Sequence, residues 1–384
     1  MYGDGELSHV RGSTSAIIAT QRRSNHFFQR PDADHLEVDS TATSLTGYSV
    51  NLQLRKQSGE HWRGRLGSAF TSPKYEVNDI GFSFRTDRRD FQGDLSYLQN
   101  KPGHLWRRWS LNGTQRFERN FDWQPILTFT EMNFQSQTPQ YWSLFLQGAR
   151  YYRSVDDRLT RGGPLATRPA WWSGTFNVST DPRQPLTGAV TLAGDRFESG
   201  SWDWNVNLSL GIQSSPRWNL TLTPNIGRVS TEAQYVGTVP DTTATLTYGN
   251  RYVFAPLART TVGLEARLNV TFTPRLSLET YVQPLLSSGD YGNPRSLVAP
   301  RTYDFEPYPG STDDFDFNLR SLRGNAVLRW EWRAGSTLYV VWQEDKSNSE
   351  ILSTRVDIGD AFRSLTAPGA NIFLIKMSFW VPVK

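Results

Sequence analysis

The chain of 384 residues contains no cysteine, and that one absence removes disulfide frameworks, thiolate zinc sites and cysteine nucleophiles together. It suits a protein of an oxidising compartment, where stray thiols are a liability. Long apolar runs are missing too. The longest is Leu338–Trp342, mean hydropathy is −0.53, and a spanning helix needs about 18 apolar residues or more, so a helical membrane protein is excluded. Charge of one sign is scarce: 41 Lys and Arg against 37 Asp and Glu leave +4, scattered along the chain. No basic stripe marks a nucleic-acid partner, and none is expected. G-x-S-x-G, H-E-x-x-H and G-x-x-x-x-G-K-[ST] are all absent, so the expectation is a protein that is not an enzyme and has no cofactor, catalytic residue or metal.

What the sequence does have is aromatic side chains, 14 Trp, 15 Tyr and 21 Phe, in a chain that is hydrophilic on average. They fall into a period-two pattern. In Ser201–Gln213, Trp202, Trp204, Val206, Leu208, Leu210 and Ile212 alternate with polar residues, and Thr261–Thr273 repeats this with Val262, Leu264, Ala266, Leu268, Val270 and Phe272. Alternation of this kind predicts strands, and no comparable segment shows a helical period. The same reading covers Tyr48–Arg55, His61–Phe70, Trp172–Ser179, Trp218–Thr223, Arg275–Gln283, Ala326–Arg333 and Phe373–Val381. Several strands run well past the roughly 5 to 6 residues usual in soluble sheets and match the about 9 to 11 of a tilted membrane strand.

Tight turn signals such as Ser215-Pro216, Thr273-Pro274 and Ala334-Gly335 alternate with long connections near Arg22–Ser44, Arg153–Pro169, Ser287–Asn318 and Glu344–Ala370. That rhythm belongs to an outer-membrane barrel with tight turns on one side and long loops on the other. The expected fold is all-β: an antiparallel transmembrane β-barrel of about 16 to 20 strands with long extracellular loops, one domain over residues 1–384. A direct count of seventeen or nineteen strands is odd, and Arg228–Thr260 is expected to be one extended outward hairpin. Pro125, Pro224 and Pro284 are placed at bulges or strand ends. Trp62, Trp142, Trp171, Trp172, Trp202, Trp204 and Trp218 near strand starts, and Phe70, Phe272, Trp330, Trp332, Phe379 and Trp380 near strand ends, read as two aromatic girdles.

Charges on the polar face cost roughly 2 to 4 kcal/mol each if they face lipid near the midplane. Arg55, Arg63, Arg65, Glu265, Arg267, Glu279, Arg329, Glu331, Arg333 and Lys376 are therefore expected to line the lumen. Tyr303, Asp304, Phe305, Glu306, Asp313, Asp314 and Asp316 form an aromatic and acidic loop that folds back on the rim or plugs the lumen, with calcium or sugar binding as weaker options. His26, Asp32, Asp34 and His35 share a loop, read as solvated and polar because their spacing matches no metal motif.

The strings Phe28–His35, Tyr75–Ser83, Tyr303–Tyr308, Phe317–Trp342 and Phe373–Trp380 resemble the barrel domain called domain of unknown function 5916, which usually follows a carbohydrate-binding module of the family-nine type. The resemblance spans nearly the whole chain and implies an outer-membrane barrel whose activity is not established. It also implies strands upstream of Met1. The N-terminal segment has no basic stretch followed by an apolar one, so the chain is expected to be part of a longer product. The partners expected are outer-membrane lipid, the barrel-assembly machinery acting on the C-terminal strand, and an upstream segment or second polypeptide that completes the barrel. The expected role is passage or handling of a solute or saccharide at the bacterial surface. Two alternatives are a structural barrel that anchors a surface complex and a soluble Trp-rich β protein that binds carbohydrate.

Overall fold

A computed structural model describes residues 1–310, 314–350 and 368–381. Along the chain lie β1 (Tyr2–Arg11), β2 (Ser44–Lys56), β3 (Trp62–Thr71), β4 (Arg88–Gln99), β5 (Arg108–Arg119), β6 (Pro125–Gln137), β7 (Ser143–Tyr151), β8 (Ser154–Asp156), β9 (Ala166–Arg168) and β10 (Trp171–Ser179). They are followed by β11 (Leu186–Phe197), β12 (Trp202–Ser215), β13 (Trp218–Pro240), β14 (Asn250–Thr273), β15 (Leu276–Tyr291), β16 (Arg295–Leu297), β17 (Phe305–Pro307), β18 (Phe317–Arg333), β19 (Ser336–Glu350) and β20 (Gly369–Ser378). One sheet holds eighteen strands; setting aside the short β16 and β17 leaves sixteen in a continuous antiparallel meander. Short β8 and β9 form a separate ribbon. The expected odd count is thus corrected to an even one. β1, with Gly3, Gly5 and acidic Asp4 and Glu6, is a strand that alternation does not mark, because it carries almost no apolar signal.

Alternation holds across the meander. Trp62, Tyr97, Leu111, Phe134, Leu146, Phe176, Leu192, Val206, Ile226, Val262 and Leu286 are successive cross-strand partners from β3 to β15, a single apolar row. A second row runs Trp218, Val270, Leu278, Leu328, Val340 and Ile375. Leu54, Leu66, Leu95, Met132, Leu192 and Leu208 on this face stay exposed, so among the described residues nothing covers them. The opposite face carries Asn, Gln, Thr, Asp, Glu and Arg.

The two-residue hairpin turns between neighbouring strands of the meander, at Pro216–Arg217, Pro274–Arg275 and Ala334–Gly335, lie at one end. Gly335 takes φ +76, which a side chain rarely adopts, in the tightest of them. The long segments 12–43, 72–87, 152–170 and 292–316 all emerge at the other end. The expected outward hairpin is present: β13 and β14 stay paired from Trp218↔Val270 to Pro240↔Asn250. Helix α1 (Thr14–Arg22), capped by the Ser13 hydroxyl accepting from Ala16 N at 3.3 Å, interrupts the all-strand reading. Pro125 starts β6 beside a register shift, as expected. Pro224 and Pro284 instead lie inside β13 and β15, where pairing with β12 and β14 skips them; a missing donor breaks the ladder locally without ending the strand.

No closed barrel is formed by these ladders. β1 pairs only with β2 and β20 only with β19, so both outer edges lack a partner among the described residues. The aromatic groups also regroup. Because alternate strands run in opposite directions, strand starts do not share an end: Trp62, Trp142, Trp218, Phe272, Trp330 and Trp380 gather at the short-turn end, and Phe70, Trp172, Trp202 and Trp204 at the loop end.

The loops fold onto the polar face. Tyr75 lies across β1 and β2, its hydroxyl donating to Glu6, and the Ser8 hydroxyl accepts from Glu76 N at 3.0 Å. A Cβ on Gly47 would sit 2.2 Å from Tyr75 N. Gly47→Val should therefore displace segment 72–87 at a cost of about 1 to 3 kcal/mol. Thermal unfolding and protease nicking of that segment are the readouts, and an unchanged profile in both would contradict this packing.

Candidate functional site: a polar sheet face under a layer of loops

On β3 to β6 the polar face is a hydrogen-bonded lattice. Arg65 Nε donates to Asp94 at 2.6 Å, Thr114 Oγ1 donates to the same carboxylate at 2.8 Å, Asn112 donates to Asn133 at 2.8 Å, and Gln147 on β7 donates to Glu131 at 2.7 Å. Nine of the ten strand residues expected to share one face do so: Arg55↔Arg65, Thr223↔Glu265, Asn269↔Glu279, Ser277↔Arg329 and Tyr339↔Lys376 are opposed pairs, with Arg63, Arg267 and Glu331 two residues from members of the set, while Arg333 lies past a register shift, opposite Ser336. They do not converge on one point. Arg267 pairs with Glu265 at 2.8 Å and stacks on Tyr281, and Arg329 pairs with Glu331 at 3.4 Å.

Near the loop end an aromatic row interrupts this lattice. Phe129, Tyr151, Trp171 and Phe197 occupy consecutive cross-strand positions on β6, β7, β10 and β11. Tyr151 and Trp171 stack with centroids 4.1 Å apart, and Trp171 and Phe197 at 5.3 Å. No motif announces this row, because its four rings come from four different strands; only register assembles it. A cleft of about 380 Å³ opens beside it, lined by Trp171, Phe197, Asp203, Arg168 and Tyr303.

The loop layer is locked to the sheet by buried charge. Arg85 donates to Asp157 at 2.7 Å and lies 3.4 Å from Glu118 of β5, while Arg88 and Arg116 both pair with Asp90 and Glu118. Arg30 of the first insert lies 3.6 Å from Asp157. Burial alone would raise the Asp157 carboxyl, but Arg85, Arg30, Arg158 and Arg168 hold it below the usual carboxylate range. Burial and the neighbouring Arg85 bring Arg158 down to about 10.

The histidine loop was expected to be solvated, and this is corrected. His26 is buried, with Nε2 2.9 Å from Glu76 and Nδ1 2.9 Å from Pro73 O, and His35 lies 2.8 Å from Asp87. Asp32 accepts from Leu165 N at 2.7 Å, so this loop is stitched to the 152–170 insert. Its polar residues hold inserts together where sequence alone suggested a surface. Among the described residues no three His, Asp or Glu side chains gather as a metal site.

In the aromatic and acidic loop, Tyr303 and Phe305 pack on Phe254, Leu297 and Ala166, folding back on the β14 extension. Asp304 is exposed, Asp314 accepts from Asp316 N at 3.0 Å, and Asp316 accepts from Tyr291 N at 2.6 Å; these carboxylates serve turns. Glu306 pairs with Arg251 at 2.9 Å. Asp313 lies outside the described residues, as do residues 351–367 of the last long connection.

Residues 9–384 match the domain of unknown function DUF5916. The chain belongs to the DUF5916 family. No curated protein matches it. Among solved structures, the DUF5916 chain is similar to a bacterial polysaccharide outer membrane secretin at 12% identity, covering 79% of this chain and 87% of that one, with a TM-score of 0.34.

For a group whose folded pKa is depressed, like Asp157, the stability it contributes is complete above the unfolded value, near 3.9, and is lost as pH falls through the folded value. The loop layer should therefore stay closed at neutral pH and loosen only below about pH 4. Asp157→Asn leaves Arg30, Arg85 and Arg158 without their shared anion, a loss of about 3 to 5 kcal/mol. Limited proteolysis of residues 153–169 should detect this at neutral pH in the variant and only in acid in the wild type. Equal resistance of the two at pH 7 would remove Asp157 from this role.

Proposed function

We propose that the chain is an outer-membrane barrel whose polar face lines the lumen, and that it passes or handles a solute at the bacterial surface without a catalytic step. The observation that carries this reading is the apolar row from β3 to β14, exposed at Trp62, Leu111, Leu146, Leu192 and Ile226, with aromatic residues at both ends of the sheet face. Dimensions agree. On β14 the apolar stretch Val262–Phe272 extends roughly 33 Å, which at a tilt of about 40° spans about 25 Å along the membrane normal, the height of an outer-membrane apolar band. A soluble sheet would have to leave the same surface in water.

The polar lattice supplies the hydrated path, and the loop layer narrows it from one side. Saccharide is among the solutes such a lining suits, since the aromatic row and its cleft pair ring surfaces with hydrogen-bonding groups. Sixteen strands leave β1 and β20 antiparallel to one another, and both are ten residues long, which suits direct closure. Both edges being free also favours a second reading, in which an upstream segment or another polypeptide seats between them and the barrel anchors a surface complex.

Leu268→Arg should block membrane assembly or cost about 2 to 4 kcal/mol, whereas Arg267→Leu, one residue away on the polar face, should be tolerated. Heat-modifiable migration of each variant refolded in detergent reads this directly. Equal sensitivity at the two positions would reject the assignment of faces.

A further inference from the structure

The arginines of this chain divide by face. Many of those on the polar face and in the loop layer are ion-paired, Arg65 with Asp94, Arg85 with Asp157, Arg116 with Asp90, Arg168 with Asp156 and Arg267 with Glu265, while Arg55 donates to Gln53 and Arg63 to the Gly59 carbonyl near the short-turn end. A second set sits on the apolar face at the loop end. Arg89 and Arg119 are opposed on β4 and β5; Arg150, Trp172, Arg196 and Trp202 form one register row across β7, β10, β11 and β12; Arg228 on β13 is opposed to Trp204. Among the described residues none of these five arginines has a carboxylate in an ion pair. Their contacts are with rings and carbonyls: Arg150 lies over Trp172 at 5.1 Å, Arg89 over Trp123 at 4.5 Å, Arg119 donates to Trp123 O at 2.9 Å and Arg196 to Gly200 O at 3.3 Å. The short-turn end of the same face has Lys56 as its strand cation.

We propose that this Arg–Trp band binds the phosphate groups of lipid headgroups and so fixes the loop end of the barrel in the leaflet that carries them. Three features converge on that ligand. Alternate positions in one register row lie about 10 Å apart, so Arg150 and Arg196 can hold separate phosphates with an indole between them. The tryptophans belong at the headgroup level, where a flat ring with one polar edge is most stable. Guanidinium groups take phosphate through paired hydrogen bonds, and five of them with no carboxylate in an ion pair among the described residues, Arg150 sensing Glu198 only from a distance, leave those donors to an outside anion. The band deepens the membrane reading and rests on it.

The test uses the full chain in bilayers of phosphatidylcholine, with tryptophan quenching by dibrominated phosphatidic acid or dibrominated phosphatidylcholine as probe. Wild type should favour the phosphatidic acid, by roughly fivefold for each arginine engaged, and the preference should shrink with added salt. The triple variant Arg150→Gln, Arg196→Gln, Arg228→Gln should cut the preference steeply, leaving only what Arg89 and Arg119 contribute, while Lys56→Gln should leave the preference intact; an undiminished preference in the triple variant would overturn the band. Inorganic phosphate should not compete at concentrations where the lipid is bound; full competition would make this a free-phosphate site and overturn the headgroup assignment. Insertion into phosphatidylcholine with no preference for phosphatidic acid would overturn the band alone. Failure to enter either lipid would overturn the membrane reading and the band with it.

Discussion

Everything in this molecule depends on one constraint: in an antiparallel sheet each residue shares its face with its cross-strand partner, so one polarity error would propagate to both neighbours. The register from β3 to β15 keeps Trp62, Leu146, Val206 and Leu286 on the same surface through ten successive pairings. A sheet that large cannot bury its apolar face on itself, and the described residues supply no second layer for it. The loops have gone to the other side.

That choice of side organises the rest. Segments 12–43, 72–87 and 152–170 cover polar sheet, so ion pairs and backbone hydrogen bonds hold them to it, beside a small apolar cluster of Phe28, Ala33 and Leu36 within the first insert. Arg85 shows the logic: one guanidinium touches Asp157 of an insert and Glu118 of the sheet. Such contacts fix geometry well and are vulnerable to loss of a single partner, because the charge left behind stays buried. The one sizeable apolar cluster, around Phe254, Leu297 and Tyr252, lies where β14 has risen beyond the sheet proper.

Sequence reading recovered what alternation encodes and lost what it does not. Thr261–Thr273 was legible because one of its faces is apolar throughout; the upper part of the same strand, Tyr252, Val253, Phe254 and Ala255, is buried on both faces and shows no period at all. The nine charged strand residues were legible as a face, yet the buried lock of Arg30, Arg85 and Asp157 was not, since its members lie far apart in sequence and meet through loops. His26 and His35 looked like surface residues because nothing in a local string reveals that Glu76 and Asp87 will close over them. Local sequence puts Trp62 and Trp218 near strand starts and Trp330 and Trp380 near strand ends, and only the meander shows that all four share one end of the sheet.

Closure of the barrel is the claim on which the account turns, and the absence of native cysteine makes it directly measurable. Single cysteines placed on β1 at Asp4, Glu6 or Ser8 can be combined with single cysteines on β20 at Ile372, Leu374 or Lys376, then oxidised in the membrane-inserted chain. A disulfide needs Cα atoms about 4.4 to 6.8 Å apart, so it forms only where strands are neighbours. The account predicts an intramolecular cross-link for at least one pairing, seen as a faster-migrating monomer that reverts on reduction. Cross-links only between chains, or none at any pairing, would contradict it.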